Sequence, residues 1–533
     1  MENLEENFRE FINEHVESTK KLRKDLWTSA WNFEVTGEEE WKNKRVELEI
    51  QLTKIYADKE RFKKVKNFKD NENNFQDHDL KRHATLIFNS FESEQKDEEL
   101  INKSINLMAE INDKYNNHRG HVNGEKVNDN DILKILQTSD DNDLRKKAWL
   151  ASKEIGKEVA AQVIEVVHLR NEVARKLGYK NHYVMSLKQE EIDHDFLFRT
   201  LDNLKTLTDE PFRKEKSNLD QSLAKRFGIQ LEDIRSWHYA DPFFQEAPSH
   251  GNVDLDHIFK DQDIVDLNLK FYDGIGLEVR DILERSDLYA KEGKCQHAFC
   301  TDIDKEGDVR ILCNITPNEK WTSTTLHELG HAVYDKYLPH ELPFYLRSPA
   351  HTMSTEAIAM LMGRLTKDEK WLKEIVNISA EDSKILLPAI ESQATLAMLI
   401  FVRWGLVMVN FEKAMYEDPD QDLNTLWWDC VEKYQFVKRP ENRNEPDWAA
   451  KLHLALCPVY YQNYILGELI ASQLSHSISE LPSKYLTNNP EAGLFLKDKY
   501  FVHGARFDWN ETLEKATGEK LNPQYFIKEF IKA

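Results

Sequence analysis

The pentapeptide His327-Glu328-Leu329-Gly330-His331 is the part of this 533-residue chain whose spacing most directly allows chemistry. Residues four apart on a helix project from one face, so both imidazoles can reach a single metal ion. Glu328 then lies beside that ion, where its carboxylate can take a proton from an attacking water. Residues 321–338 predict a helix around the pentapeptide: Ser323 and Thr324 supply a cap signal, good helix formers fill the interior, and Pro339 stops it. Gly330 lowers helix propensity but lets a second backbone approach closely. Two histidines at this spacing also occur on ordinary helix surfaces, and the rest of the chain has to separate the two readings.

A catalytic zinc takes three protein ligands and keeps one position open. One known extension of HExxH places Gly and His three and six residues after the second histidine. Here those places hold Tyr334 and Tyr337, which excludes that class. Asp335, Glu341, His351 and Glu356 remain as candidates. Asp335 would point along the same helix, and Glu341 follows Pro339 in a loop. Glu356 lies in HTMSTEAIAMLM (351–362), a new helix with Thr352 or Ser354 near its start and an apolar face after it. A carboxylate on such a helix is costly unless paired or coordinated; the alternative is a charge favoured by the helix N-terminus. Glu356 is the expected third ligand.

The elements that must hold these residues are mostly helices. Patterns at 4–24 and 39–66 are separated by SAWNFEVTGEE (29–39), and further patterns follow at 79–93 and 97–117. Over 143–177 Leu144, Ala148, Ala151, Ile155, Val159, Val163 and Val166 repeat every three or four residues, with Gly178 closing the helix. A helix at 193–226 should break near Pro211, and SWHYADPFFQEAP (236–248) forms a loop. Strands are expected at 295–302 and 308–315 around a KEGD turn. A hairpin just before the HELGH helix would offer a sheet edge to an extended peptide. Helices at 352–365, 380–416, 421–434 and 450–478 follow, then a helical tail, and the absence of any repeat or second HExxH points to one active site.

Composition narrows the partners. Asp and Glu (94) outnumber Lys and Arg (72), giving a formal charge of −22 that disfavours nucleic acid. The most apolar stretch, 394–411, is interrupted by Arg403 and reads as a buried core helix, not a membrane span. The five cysteines do not form a secreted-type framework, and the first residues are acidic and amphipathic. A cytoplasmic location is expected, or a periplasmic or secreted one where a leader has been removed.

These residues resemble the angiotensin-converting-enzyme family of zinc peptidyl-dipeptidases, gluzincins related more distantly to thimet oligopeptidase and oligoendopeptidases. HELGH is followed by Glu356 in STEAIAML, one residue further from His331 than in the family pattern. CQHAFCTDIDKEGDVRILC (295–313) is similar to the family's Cys-His-Ala strand and hairpin, with His297 thirty residues before His327. LWWDCVEKYQ (426–435) and AAKLHLALCPVYYQNYILGE (449–468) resemble its Trp-Trp and Lys-x-His…Tyr-x-x-Tyr segments. The resemblance implies a mainly α fold: a two-lobed helical ellipsoid with a deep central cleft and a short β-hairpin beside the zinc helix. Residues 1–533 would form a single metallopeptidase unit, with 1–120 as lid and N-terminal helices and 293–480 as catalytic core segments.

The roles implied by the resemblance fall on individual residues. His327, His331 and Glu356 would hold one zinc per chain, with Glu328 as general base and then acid. His297 and the backbone of Ala298 would align the peptide, and His453 would hydrogen-bond it near the scissile bond. Tyr464 would donate to the oxyanion, and Lys451 with Tyr461 would clamp a free C-terminal carboxylate. Tyr461 and Tyr464 share a helix face, although Tyr460 adjoins Tyr461 and the spacing from His453 is one residue longer than in the family. Where the family has a clamp Gln, the nearest matching segment offers Tyr239 or His238. Met360 replaces an acidic residue that orients a zinc histidine, so another group must do so. Val431 and Asn463 replace chloride-binding arginines, so chloride should not be required. Cys295 and Cys313 could pair as in secreted relatives, Cys300 competes for the same partner, and free thiols are expected.

The resulting expectation is a monomeric zinc metallopeptidase that acts on short unstructured peptides, without nucleic acid or membrane partners, and releases C-terminal dipeptides. The alternatives are an oligoendopeptidase indifferent to the free C-terminus and a catalytically silent peptide-binding protein.

Overall fold

The computed structural model describes residues 4–248 and 255–531. Helix accounts for 70 % of the chain, which makes the fold class mainly α. Helix α1 (Leu4–Thr36) runs twelve residues past its expected end, because Trp31 in SAWNF is buried against Ile303 and Leu312 and so rewards continued helix. It ends at Gly37, whose φ of +69° suits glycine and whose absent Cβ would meet the Gly293 carbonyl at 2.5 Å. The expected helix over 39–66 is instead two, α2 (Glu39–Ala57) and α3 (Lys59–Asp70). Asp58 divides them by accepting from the Arg61 amide at 2.8 Å. Helices α4 (His78–Glu92) and α5 (Glu98–Asn117) follow as expected.

A small hairpin, β1 (Gly120–Val122) and β2 (Glu125–Val127), was not foreseen. Its turn is Asn123-Gly124 with φ of 53° and 85°, a pairing that favours two-residue hairpins. Helix α6 (Asn142–Lys176) matches the periodic stretch, with Asp141 capping it and Ala148, Ile155, Val159 and Val163 buried. Helix α7 (His194–Phe227) passes through Pro211 without breaking. Burial of Leu204, Thr208, Phe212 and Leu219 along its length offsets the lost amide of the proline.

Strands β3 (Phe299–Asp302) and β4 (Val309–Leu312) pair antiparallel and are shorter than expected. His297 and Ala298 therefore precede the strand and do not lie on it. The far side of β4 is taken up by Asp287, whose N–H donates to the Ile311 carbonyl (3.2 Å) and whose carbonyl accepts from Cys313 (2.9 Å). β3 is consequently the edge. Ile303 donates to Asp308 across the hairpin at 3.0 Å. The alternation then leaves the N–H and C=O of Cys300 facing outward, with no partner among the described residues.

Helix α8 (Glu319–Lys336) carries HELGH. Its cap is Asn318, which accepts from Trp321 at 2.8 Å. Ser323 and Thr324, expected there, are interior, and Ser323 donates instead to the Gly363 carbonyl at 2.8 Å. Helix α9 (Thr352–Gly363) is capped by His351. In α10 (Ala380–Glu417) the residues Leu399, Ile400, Val407 and Phe411 are buried, while Ile385 near its start is 64 % exposed. Among the described residues α10 is the one helix long and apolar enough to cross a membrane. Its Arg403 is buried and paired with Asp209 at 2.6 Å. Helix α11 (Leu423–Gln435) follows. The expected helix at 450–478 is reduced to a short turn at His453–Leu456 and α12 (Tyr461–Ser479). Pro458 and Val459, the latter at φ 54°, interrupt it.

The chain forms two compact units, each discontinuous in sequence. The first takes residues up to Gln95, 255–388 and 466–526, and includes β3, β4, α8 and α9. An aromatic core of Phe8, Phe11, Phe68, Phe75 and Phe91 holds its N-terminal helices. The second takes 96–248, 389–465 and 527–531, including α6, α7 and α11. All five cysteines are free thiols.

Candidate metal centre

Helix α8 buries Thr322, Thr325, Leu326, Leu329, Ala332 and Val333, so its helical phase is fixed by packing. Tyr272 adds a hydrogen bond to the Leu326 carbonyl at 2.8 Å. Gly330 has the role its small size predicted: a Cβ there would lie 2.7 Å from Ala359 Cα, so its absence lets α8 and α9 touch backbone to backbone. That contact brings Glu356 over the two histidines. Glu356 Oε2 is 3.6 Å from His327 Nε2 and 3.8 Å from His331 Nε2. One ligand atom from each of the three residues lies within 4.8 Å of the other two. Tetrahedral zinc with bonds of about 2.0–2.1 Å separates its ligands by roughly 3.3 Å, so this donor set fits the ion.

Protonation also suits the ion. Burial lowers the pKa of His327 to about 4, and burial with the neighbouring His327 lowers that of His331 to about 3. Both imidazoles are thus neutral at pH 7, as metal ligands must be. Burial raises Glu356. Glu328, 7 % exposed, is pushed up to about 8, first by burial and then by the charge of Glu356. A divalent cation in the cluster would reverse this crowding of carboxylates.

The group that orients a histidine in place of an acid at 360 is Thr355, a residue outside the set expected from the sequence. Its Oγ1 lies 2.8 Å from His331 Nδ1, leaving Nε2 for the metal, and a ring nitrogen of His327 donates to the Ala359 carbonyl. Thr355→Val is expected to keep the fold and weaken zinc binding about 10–100-fold, as read by competition with a chromogenic chelator.

His297 is exposed just ahead of β3, and Ala298 is half-buried beside it. The remaining predicted residues belong to the second unit, where they form their own cluster. Lys451 Nζ lies over the rings of Trp404 (5.2 Å) and Tyr461 (5.8 Å), and the His453 and Tyr461 rings are 5.2 Å apart. Tyr461 packs against Tyr464 at 5.5 Å. Neither Tyr239 nor His238 joins Lys451: Tyr239 is buried on Asp220 and Lys216, and His238 bonds the Arg235 amide. The partner is Gln245, whose Oε1 accepts from Lys451 Nζ at 2.7 Å. Asp241 stiffens that loop by accepting from the amides of Phe243, Gln245 and Glu246. The signal was the Gln of PFFQ, but nothing local ties it to a lysine 206 residues away.

The sequence profile of the angiotensin-converting enzyme peptidase family matches residues 2–212 and 234–531. The chain is 25 % identical over 312 residues to the angiotensin-converting enzyme of Theromyzon tessulatum, covering 54 % of this chain and 50 % of that one. It is 23 % identical over 328 residues to the angiotensin-converting enzyme-related protein of Drosophila melanogaster, covering 56 % and 51 %. Carboxypeptidase 1 of Bacillus subtilis (strain 168) is 27 % identical over 266 residues, covering 43 % and 51 %. The chain spans about half the length of the curated relatives it matches. With a profile match over most of its length and a His-His-Glu cluster at the expected positions, the chain belongs to the angiotensin-converting enzyme family of metallopeptidases.

Proposed function

We propose that the protein is a zinc metallopeptidase that hydrolyses short peptides and releases C-terminal dipeptides. The observation that carries the metal chemistry is the convergence of His327, His331 and Glu356. A zinc ion held there would polarise the scissile carbonyl and acidify a water. Glu328, in the wall beside the ligands, takes the proton of the attacking water and returns it to the departing amine. By the family resemblance, Tyr464 would donate its hydroxyl to the developing oxyanion, and His453, kept neutral by burial and by Lys451, would hydrogen-bond the substrate. His297 and Ala298 guide an extended peptide towards the open edge of β3.

The contact that favours dipeptide release is Lys451–Gln245, a cation and an amide set together among aromatic rings. Lys451 and Gln245, with Tyr461, would hold the substrate's free carboxylate. Peptides differing only in a terminal carboxylate or amide test this. The carboxylate form should be cleaved far faster, and Lys451→Ala should impair that form alone; equal cleavage of both would favour an oligoendopeptidase. The clamp also has a pH signature. Burial lowers Lys451 to about 8, so the amine is charged below that pH and neutral above it. KM for the carboxylate peptide should therefore rise in alkaline solution while that of the amide stays flat.

Chloride should not be needed for turnover. Val431 lines a narrow pocket with Trp427, Trp428 and Lys153, and Asn463 is buried elsewhere in the same unit. Lys153, the one cation in that lining, faces the Phe243 ring at 3.2 Å, and burial lowers it to about 7. Titration of chloride at constant ionic strength should leave the rate flat. A steep rise would refute this and implicate Lys153.

A further inference from the structure

Where α1, the β3–β4 turn and the loop at 340–348 meet, three cations have no carboxylate within ion-pair distance among the described residues. Arg23 donates to the Tyr56 hydroxyl at 2.6 Å and lies 5.6 Å from the centroids of the Tyr56 and Tyr345 rings, and its buried Nε has no partner. Lys305 donates to Ser348 alone. Arg347 is spent on the carbonyls of Lys305, His340 and Leu342.

The acids of the turn are already used. Asp304 binds Lys24 at 2.9 Å and Glu306 binds Lys20 at 2.5 Å, and these two pairs also pin α1 to the turn. Asp302 accepts the Lys305 amide at 2.8 Å. Asp308 holds Arg310 at 2.7 Å. Asp335, one turn beyond His331, is the remaining acid; burial and the charge of Asp302 push it up to about 8 against the opposing pull of Lys305. Lys305 is itself depressed to about 8 by burial, with Arg23 the strongest charge acting on it. Asp302 and Asp335 offset part of this from a distance, but like charges crowded without a carboxylate in ion-pair contact are costly, and this crowding persists in a chain of net charge −22. Lys305 also holds a left-handed φ of 57°, where Gly or Asn would be easier, so turn formation does not explain a lysine there.

The cluster lies at the far end of the open strand. β3 runs from Ala298 towards this turn, and an antiparallel peptide on its edge would carry its N-terminal residues the same way. Strand rise gives ~13 Å over the four steps from Ala298 to Asp302. We propose that Arg23 and Lys305, backed by Arg347, form a subsite for an acidic side chain several residues N-terminal to the scissile bond. This rests on the peptidase reading and narrows it to peptides with Asp or Glu upstream of the cut.

The test is a set of acetylated peptides identical except for Glu, Gln or Lys placed in turn at each upstream position. At one position Glu should exceed Gln about tenfold in kcat/KM, mostly through KM, with Lys poorest. That Glu-to-Gln ratio should collapse towards one in Lys305→Gln and in Arg23→Gln. Because Arg23 also braces Tyr56, Lys305→Gln is the variant that separates recognition from folding. Absence of a preferred Glu position, or a ratio unchanged in Lys305→Gln, would overturn the subsite. If no peptide is cleaved the peptidase reading fails, and fluorescence anisotropy with the labelled Glu and Gln peptides still decides the subsite by the same ratio.

Discussion

Replacing Glu328 by Gln should leave zinc bound and the fold intact while lowering kcat by about 10²–10⁴-fold, the usual worth of a positioned general acid–base. Gln keeps the volume of a side chain that is 7 % exposed, so packing on α8 is preserved. What is lost is the ability to accept and return a proton. Glu328 is not a member of the His-His-Glu cluster, so zinc content should remain at the wild-type level. KM should change little, because a group acting on the attacking water removes transition-state stabilisation and not ground-state binding. Steady-state kinetics on zinc-loaded protein, with metal analysis of the same sample, checks both halves. An equally inactive wild type would favour the peptide-binding alternative.

The second large effect is on the metal itself. His331→Ala removes one of three donors together with the imidazole that Thr355 orients. Zinc affinity should fall by more than the roughly 10–100-fold expected for Thr355→Val, and activity should fall with it. Thermal unfolding gives an independent reading, since a ligand present at 1,000 times its Kd stabilises the native state by about 4 kcal/mol. Wild-type Tm should therefore rise on zinc addition and fall on chelation, whereas His331→Ala should respond weakly to either. Glu356→Ala should behave similarly with zinc. Without metal it should be as stable as the wild type, because burial already holds that carboxyl above its usual pKa.

How much was legible follows from how local each feature is. HELGH and the carboxylate on the following apolar helix could be read because their spacing and the cost of burying an unpaired acid are properties of short stretches. The Asn123-Gly124 turn of the β1–β2 hairpin is an equally local signal. Helix limits were misplaced where capping chose between equivalent polar residues: Asn318 displaced Ser323 and Thr324, and Asp58 split a continuous pattern. At Pro211 packing overrode a local breaker. Thr355 could not be assigned to His331 without knowing the crossing of α8 and α9, which Gly330 and Ala359 set by contact. Gln245 could not be assigned to Lys451 at all, because their meeting is a product of the tertiary fold.

Metal stoichiometry tests the central claim most directly. Chelated protein reconstituted with zinc and freed of excess should retain one equivalent per chain, and variants of His327, His331 or Glu356 to Ala should each retain far less under the same dialysis. A wild type that keeps no zinc, or three variants that each keep a full equivalent, would contradict the account.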